Sequence, residues 1–141
     1  MEAGPDAMQR RWQQHFDQPT GHGPRATVIV ADLGRILAGF TGGGATRDDD
    51  LDASVGELYS LYVDPELWGR GHGSALHDAA LGELVSRGYA SAVLWVLEDN
   101  AHARGFYLAR GWKPEGAQRR FLGASTLRLA RALPVGGRSA G

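Results

Sequence analysis

A glycine-spaced loop contains the residues of this chain that are best suited to bind a ligand. Gly69, Gly71 and Gly73 follow a β-rich run at 58–63 and lie at the start of a segment, 70–87, with helical periodicity. Glycine allows the backbone to turn its N–H groups inward and lets a ligand approach closely. The start of a helix adds the positive end of its dipole at the same place. The spacing therefore predicts an anion-binding loop, for which phosphate is the typical ligand.

Three common glycine motifs do not fit this loop. A Walker loop requires Gly-Lys-Ser/Thr, and the only lysine of the chain, Lys113, lies far downstream. A dinucleotide fingerprint requires a third glycine where Leu76 stands. A nucleophile elbow around Ser74 would need glycines at the positions of His72 and Leu76. These three classes of site are excluded.

A second motif follows at residues 100–112, which read NAHARGFYLARGW. Together the two ordered segments resemble the GNAT superfamily of acyl-CoA-dependent N-acetyltransferases, whose motifs are Q/R-x-x-G-x-G/A after a strand and N-x-x-A-x-x-F-Y-x-x-x-G-F/W further on. Gly71 and Gly73 match the two fixed glycines, and Arg70 matches an arginine often found in the loop. Trp68 replaces the leading Gln or Arg, which is a departure from the family pattern.

The resemblance implies acetyl-CoA as co-substrate, bound in a cleft between the strands predicted at 57–63 and 91–97. Backbone N–H groups of the glycine loop would hold its diphosphate, and the main chain of the preceding strand would pair with its pantetheine arm. Asn100 would reach the same arm, cap the following helix, or do both. The implied cofactor-binding residues are Leu61, Tyr62, Val63, Gly69, Arg70, Gly71, His72, Gly73, Ser74 and Asn100.

The catalytic residues implied by the resemblance are Tyr107 and Glu57. Tyr107 would place a phenol beside the thioester sulfur and protonate the departing thiolate. Its alternative role is aromatic packing next to Phe106. Glu57 would accept the amine proton, directly or through water. Glu98 is a rival base, either carboxylate could simply be solvated, and an amine that arrives neutral needs no base.

Composition places the chain among ordinary globular proteins. Its 141 residues, 43% of them hydrophobic, correspond to one domain, which we assign to residues 1–133 with a disordered tail at 134–141. The absence of cysteine excludes disulfides, thiolate catalysis and cysteine-bound metals. The histidines lack metal-binding spacing, and a net charge of -1 argues against nucleic acid as a partner. Without a targeting or membrane-spanning segment, we expect a cytoplasmic protein, with a homodimer as one open arrangement.

Hydrophobic periodicity predicts a mixed α/β sheet with both antiparallel and parallel pairs, an α+β arrangement. The predicted elements, in order, are a helix at 6–17, strands at 26–31, 36–41 and 57–63, a helix at 70–87, a strand at 91–97, a helix beginning at 99 or 100 and ending at 110, and strands at 112–119 and 121–131. In terms of the resemblance, this is a GNAT-like acyl-CoA N-acyltransferase fold over residues 7–133 that lacks the usual first strand and helix.

A long polar loop is predicted between the second and third strands, from Gly42 to Ser54. Its length makes it a candidate functional lid. Asp48, Asp50 and Asp52 begin like a calcium loop, but Ala53 and Tyr59 stand where that loop requires glycine and glutamate. The acidic run could attract a cationic amine, or it could be a solvated charge run.

The function that combines these features is transfer of an acetyl group from acetyl-CoA directly to a primary amine. Direct transfer is expected because the chain has no cysteine and no activated serine to carry the acetyl group. Two alternatives stay open at this point: a non-catalytic acyl-CoA-binding or regulatory module, and a nucleotide or phosphate binder unrelated to CoA. The acceptor has no fixed motif, so the sequence leaves polyamines, antibiotics, amino acids and peptides open.

Overall fold

The computed structural model describes residues 10–17, 25–34 and 36–134. They form seven strands and two α-helices, with one 3-10 turn at Pro65–Leu67. The elements are β1 (Arg10–Asp17), β2 (Arg25–Asp32), β3 (Leu37–Ala45), β4 (Val55–Val63), α1 (His72–Ser86), β5 (Ser91–Leu97), α2 (Ala101–Leu108), β6 (Lys113–Phe121) and β7 (Ala124–Ala132). The predicted tail beyond Pro134 lies outside the described residues.

All seven strands belong to one sheet in the order β1-β2-β3-β4-β5-β7-β6. Every neighbouring pair is antiparallel except β4 and β5, which run parallel because α1 connects them as a crossover. The predicted mixed α/β fold is therefore confirmed, including both kinds of strand pairing. Strands two to seven and both helices occur in the predicted order, with boundaries that differ by a few residues.

The predicted helix at 6–17 is wrong where the structure describes it, because Arg10–Asp17 is a strand. It pairs antiparallel with β2 over its whole length, from Arg10 opposite Asp32 to Asp17 opposite Arg25. The spacing of Trp12 and Phe16 by four residues fits a helix, but four is also an even number and so fits the two-residue period of a strand. An open edge of β2 provides backbone hydrogen-bonding partners, and these decide between the two periods.

The core lies between the sheet and the two helices. Leu76, Ala80 and Leu84 are the buried stripe of α1, as its spacing by four residues predicts. The main cluster combines Leu84 with residues of β5, α2 and β7, and its largest fully buried side chain is Trp112. The Trp112 indole donates a hydrogen bond to Nε2 of His77 at 3.0 Å, so the polar groups of both buried rings are satisfied. This contact fixes the segment after α2 against α1.

The predicted lid at 42–54 is not an open loop. Its first residues extend β3 as far as Ala45, and both Thr46 and Asp48 are buried. Asp48 accepts hydrogen bonds from the Trp95 indole at 2.8 Å and from Arg128 at 3.0 Å. A segment whose polar groups are paired with β5 and β7 is part of the folded body rather than a flap.

The feature that creates a site is the early end of the β4–β5 ladder. Only three pairs are in register, from Val55 opposite Ser91 to Glu57 opposite Val93, although both strands continue well beyond them. Just past this point β4 has a β-bulge. Ser60 and Leu58 pair with consecutive residues of β3, so Tyr59 between them has no pairing partner. The two strands therefore separate, and the main chain of β4 is exposed toward β5.

Neither helix of the described residues is long and apolar enough to cross a membrane.

The pairing of β3 with β4 depends on close approach of the two backbones. A Cβ placed on Gly39 would lie 2.1 Å from the carbonyl oxygen of Tyr62, whereas one on Gly42, in the same strand, would meet nothing nearer than 3.5 Å. This difference gives a matched pair of substitutions.

We predict that Gly39→Ala lowers the free energy of unfolding by about 3 kcal/mol, since β3 and β4 must move apart to admit the methyl group. Gly42→Ala should change it by less than about 1 kcal/mol. Urea denaturation of both variants, followed by circular dichroism, measures the difference. Equal stability of the two variants would contradict the register described here.

Candidate active site

A cleft of about 480 Å³ opens where β4 and β5 separate. The end of β4, the glycine loop, the start of α1 and one face of α2 form its walls. Ten of the twelve residues singled out from the sequence line it: Leu61, Tyr62, Val63, Gly69, Gly71, His72, Gly73, Ser74, Asn100 and Tyr107. Arg70 and Glu57 do not. Segments that are far apart in the chain thus meet around one space.

The glycine loop presents free backbone donors to this cleft. Gly69 and Gly71 have φ angles of 82° and 88°, which a residue with a side chain rarely adopts, and the space beside their Cα atoms is open. Gly71 is the N-cap of α1, and no side chain caps this helix end. The first N–H groups of a helix have no partner within the helix, so they are available to a ligand. The loop has the geometry of an anion cradle.

Arg110, which no sequence motif singled out, and His72 add polar side-chain groups to this cradle. Arg110 stacks on Phe106, with 3.7 Å between its guanidinium carbon and the ring centre, and donates a 2.5 Å hydrogen bond to the Ser74 hydroxyl. His72 is buried, and its Nε2 has no hydrogen-bond partner. Burial, assisted by the nearby charge of Arg70, lowers the pKa of His72, so the imidazole is neutral at pH 7. No aspartate or glutamate of the described chain lines the cleft.

Trp68 and His102 form one rim of the cleft. Their rings stack with 4.1 Å between centres and 6° between planes, and both residues line the cleft. The Trp68 indole also donates to the carbonyl oxygen of Val63 at 2.9 Å. The stack therefore joins the loop after β4 to the first turn of α2. His102 gave no signal in the sequence, because a stacking partner is defined only by the folded structure.

Tyr107 lies on the buried side of α2 and lines the cleft with 8% of its surface exposed. It packs edge-on against Phe106 and Trp112, with ring centres 5.4 and 6.0 Å apart. Burial raises the pKa of Tyr107 to about 12, so its phenol stays protonated at neutral pH. The packing role and a role as a proton donor are both compatible with this position.

Asn100 is the N-cap of α2. Its side-chain oxygen accepts a hydrogen bond from the backbone N–H of Ala103 at 3.0 Å. The capping alternative considered for this residue is thus present, and the side-chain NH₂ group is not used in that bond. Because Asn100 also lines the cleft, the cap positions its amide at the cleft wall.

Glu57 is neither in the cleft wall nor solvated. It is 2% exposed and accepts hydrogen bonds from the Arg47 backbone N–H at 2.8 Å and the Thr46 hydroxyl at 3.2 Å, with the Arg47 guanidinium at 3.5 Å. It stands at the last pair of the β4–β5 ladder. Glu98, the rival base, is exposed just beyond the end of β5. Arg70 is also exposed, on the loop next to the cradle.

The site has no cluster that would bind a metal. Within the described part of the chain, no three histidine, aspartate or glutamate side chains are arranged to hold an ion. The predicted calcium-like acids form ion pairs instead. Asp48 and Asp50 both bind the guanidinium group of Arg128, with contacts from 2.7 to 3.0 Å.

Comparison with known proteins links this fold and cleft to one family. The family model described as "Acetyltransferase (GNAT) family" matches residues 2–112. Mycothiol acetyltransferase from Thermobispora bispora is 33% identical over 106 residues, which cover 74% of this chain and 34% of that protein. The chain spans about a third or less of the length of the mycothiol acetyltransferases that it matches.

Solved structures show the same fold. The ribosomal-protein-S18-alanine N-acetyltransferase from Escherichia coli superposes with a TM-score of 0.64 at 22% identity, covering 84% of this chain and 76% of that one. The PaiA N-acetyltransferase from Thermoplasma acidophilum, solved in complex with coenzyme A, gives a TM-score of 0.59 at 22% identity, covering 73% of this chain and 59% of that one.

The cap at Asn100 generates a prediction about stability. Asn100→Ala removes the side-chain acceptor and should lower the free energy of unfolding by about 1 kcal/mol. Asn100→Asp keeps an acceptor at the helix N-terminus and should leave it nearly unchanged. Thermal and urea unfolding of the two variants measures this. If alanine were as stable as aspartate here, the cap would not contribute to the stability of α2.

Proposed function

This chain belongs to the GNAT acetyltransferase family, and from that membership we propose that it transfers an acetyl group from acetyl-CoA directly to a primary amine. The similar proteins named above carry names that point to different acceptors, mycothiol in one case and an alanine of ribosomal protein S18 in the other. We therefore assign the reaction type and the cofactor, and derive the acceptor separately from this chain's own residues. A cytoplasmic location and a homodimer remain predictions.

The observation that carries the proposal is the match between the cleft and a long, anionic thioester. At one end are the unsatisfied N–H groups of the glycine loop and α1, with Arg110 close by. The wall is otherwise largely apolar, and no carboxylate of the described residues faces it. A diphosphate fits the first part and an extended pantetheine arm fits the second. The residues present thus fit acetyl-CoA.

The strand β4 would hold the arm of the ligand by main-chain hydrogen bonds. Beyond Glu57 its edge toward β5 has no strand partner, so its backbone groups are available to an added extended segment. Leu61 and Val63 turn their side chains into the cluster beneath α1, which leaves the main chain to make this contact. The Val63 carbonyl already accepts one bond from Trp68, and a carbonyl oxygen can accept a second.

When bound, acetyl-CoA supplies an activated acetyl group. In the transfer, the amine nitrogen forms a bond to the carbonyl carbon, the carbon–sulfur bond breaks, and the sulfur takes a proton as the amine loses one. Tyr107 is the residue of the cleft wall that we propose as hydrogen-bond donor to the departing sulfur. Its phenol has the required proton throughout the neutral range because burial holds its pKa at about 12.

Glu57 remains our candidate for the group that takes the amine proton. Its carboxylate lies where β4 and β5 separate, and three donors orient it. Because Glu57 is buried outside the cleft wall, proton transfer through water to an already oriented carboxylate is the arrangement we propose. Glu98 is less suited, because it is exposed beyond the end of the strand.

A non-catalytic acyl-CoA-binding module is the second candidate. The observation in its favour is the Trp68–His102 stack, which stands at the rim of the cleft and donates one hydrogen bond to the β4 main chain. A permanent stack at the rim would suit retention of a ligand more than rapid exchange. The two functions differ in whether thiol is released when an amine is added.

We predict that acetyl-CoA binds this protein and that amines cause release of free CoA. Titration calorimetry measures binding, and a thiol reagent measures release over an amine panel. Gly71→Asp places a carboxylate in the cradle and should weaken CoA binding at least about 30-fold through like-charge repulsion. Gly88→Asp is the control, because Gly88 has the same positive φ of about 90° and the same open surroundings but lies after α1. Binding without release by any amine would favour the second candidate, and equal binding by both variants would contradict the cradle.

We predict that Tyr107→Phe lowers kcat about 100-fold and leaves CoA affinity and unfolding nearly unchanged, because only the hydroxyl is lost. With a pKa near 12, Tyr107 should also cause no fall in the rate between pH 7 and pH 10. Steady-state kinetics over that pH range measure both effects. Full turnover by the phenylalanine variant would reduce Tyr107 to a packing role.

A further inference from the structure

The sheet has a second face, on the side away from the helices. Leu58, Leu94 and Val96 belong to the core beneath the helices. Successive residues of a strand point to opposite faces, so Trp95 of β5 and Glu57 of β4 lie on the other side. Tyr59, at the bulge, lies with Glu57, because both residues contact the side chain of Arg47. These two aromatic residues flank the place where the strands separate. Under the proposed function, an acetyl group held in the cleft would meet its acceptor through this opening.

An arginine side chain stacks on each of the two aromatic rings. The guanidinium carbon of Arg47 lies 3.8 Å from the centre of the Tyr59 ring, and that of Arg119 lies 4.0 Å from the Trp95 ring. Their side chains are 43% and 51% exposed. Stacking holds a guanidinium plane in a fixed orientation while its N–H edges stay accessible. One such group stands on each side of the opening.

The two arginines are linked through the acidic segment. Asp48, the residue after Arg47, accepts a hydrogen bond from Arg119 at 3.2 Å. The opposite oxygen of Asp48 accepts from the Trp95 indole and from Arg128. Arg47 and Arg119 are thus positioned relative to each other by one buried carboxylate.

Four carboxylates on this face already accept hydrogen bonds from arginine side chains. Both oxygens of Asp50 accept from Arg128, which also binds Asp48 and Glu115. Hydrogen bonds from Arg128 lower the pKa of Asp50 and of Glu115. Asp48 and Asp50 of the acidic run therefore neutralise a buried arginine.

Arg47 and Arg119 have unpaired hydrogen-bond donors on this face. The Arg47 side chain donates one hydrogen bond, from Nη2 to Glu57 at 3.5 Å. The Arg119 side chain also donates one, from Nη1 to Asp48. Among the described residues, the remaining N–H groups of both guanidinium forks have no partner. Three arginines face four paired carboxylates here, so total charge does not decide the specificity of the face. The unpaired N–H groups of the two guanidinium groups decide it, and the ligand group that suits them is a carboxylate.

We propose that Arg47 and Arg119 form an acceptor subsite for the carboxylate of an amine substrate, so that the acceptor is an amino acid or a related amino-carboxylate. This inference rests on the proposed function and names its missing substrate class. The carboxylate binds the two stacked arginines on the outer face. The amino group of the same molecule lies over the opening between β4 and β5, near Glu57. A simple alkylamine lacks the group that the two arginines recognise.

The test uses acceptor pairs that differ by the carboxylate alone: L-phenylalanine with phenethylamine, and L-lysine with cadaverine. For each pair, kcat/KM is measured at saturating acetyl-CoA, and the ratio of acid to amine is compared between the protein and its variants. Comparison across variants cancels the different basicity of the two amines. Arg47→Met and Arg119→Met should each lower the ratio about 10-fold or more, as loss of a charge-assisted contact requires.

The matched control is Arg120→Met. Arg120 neighbours Arg119 on β6 but donates to the Gly123 carbonyl in the hairpin turn, so its loss should leave the ratio unchanged. Arg119→Lys, which keeps the charge without the planar fork, should fall between the wild type and Arg119→Met. A general loss of activity changes both members of a pair and leaves the ratio intact, so weakened folding does not imitate the effect.

The outcomes separate the acceptor from the reaction. Equal use of both members of each pair, or an unchanged ratio in both methionine variants, overturns the subsite while leaving acetyl transfer in place. If neither member of a pair reacts, calorimetry on the CoA-saturated protein decides: binding of the acids with loss in the methionine variants supports the subsite, and no binding overturns it. Failure to bind acetyl-CoA overturns the proposed function and the subsite together.

Discussion

The candidate site depends on one constraint, the end of the parallel β4–β5 ladder after three residue pairs. Parallel strands that separate leave backbone donors and acceptors without a partner, and such groups are costly unless water or a ligand satisfies them. The bulge at Tyr59 adds to this, because it changes which side chains of β4 face the helices. Leu58 and Leu61 both face the core although they are three residues apart. The cleft is thus the gap left where β4 and β5 stop pairing within the sheet.

The sequence predicted most of what local chemistry determines. The strand Ser91–Leu97, the apolar stripe of α1 and the cap at Asn100 follow from short-range patterns, and the structure has each of them. The gathering of ten site residues around one cleft follows from two motifs whose elements are neighbours in the fold. The helix predicted near the amino terminus failed because a spacing of four residues fits two periods, and only a sheet neighbour distinguishes them.

The remaining features depend on contacts between residues that are far apart in the chain. Asp48 and Arg128 are 80 positions apart, so the sequence shows only an acidic segment, whereas in the structure its carboxylates form ion pairs with an arginine. Arg110 and Ser74, separated by 36 positions, meet at the cradle, and His102 becomes part of the rim only through Trp68. The contacts of arginines with aromatic rings are likewise not predictable from the sequence, since the segments that bring each arginine to its ring are not adjacent in the chain. A motif identifies the cradle, whereas the folded topology identifies what surrounds it.

Burial bears on both partners of the proposed proton transfer, the Tyr107 phenol and the thiol sulfur. With a phenol pKa of about 12 and an ordinary thiol pKa near 8.5, complete transfer to a free thiolate would be unfavourable by about 5 kcal/mol. The sulfur would leave into the same apolar surroundings, however, and desolvation raises the pKa of a thiol as it does that of a phenol. The difference therefore narrows inside the cleft. A short hydrogen bond that strengthens as charge develops on sulfur is sufficient, and it requires the phenol to stay protonated, as this environment ensures.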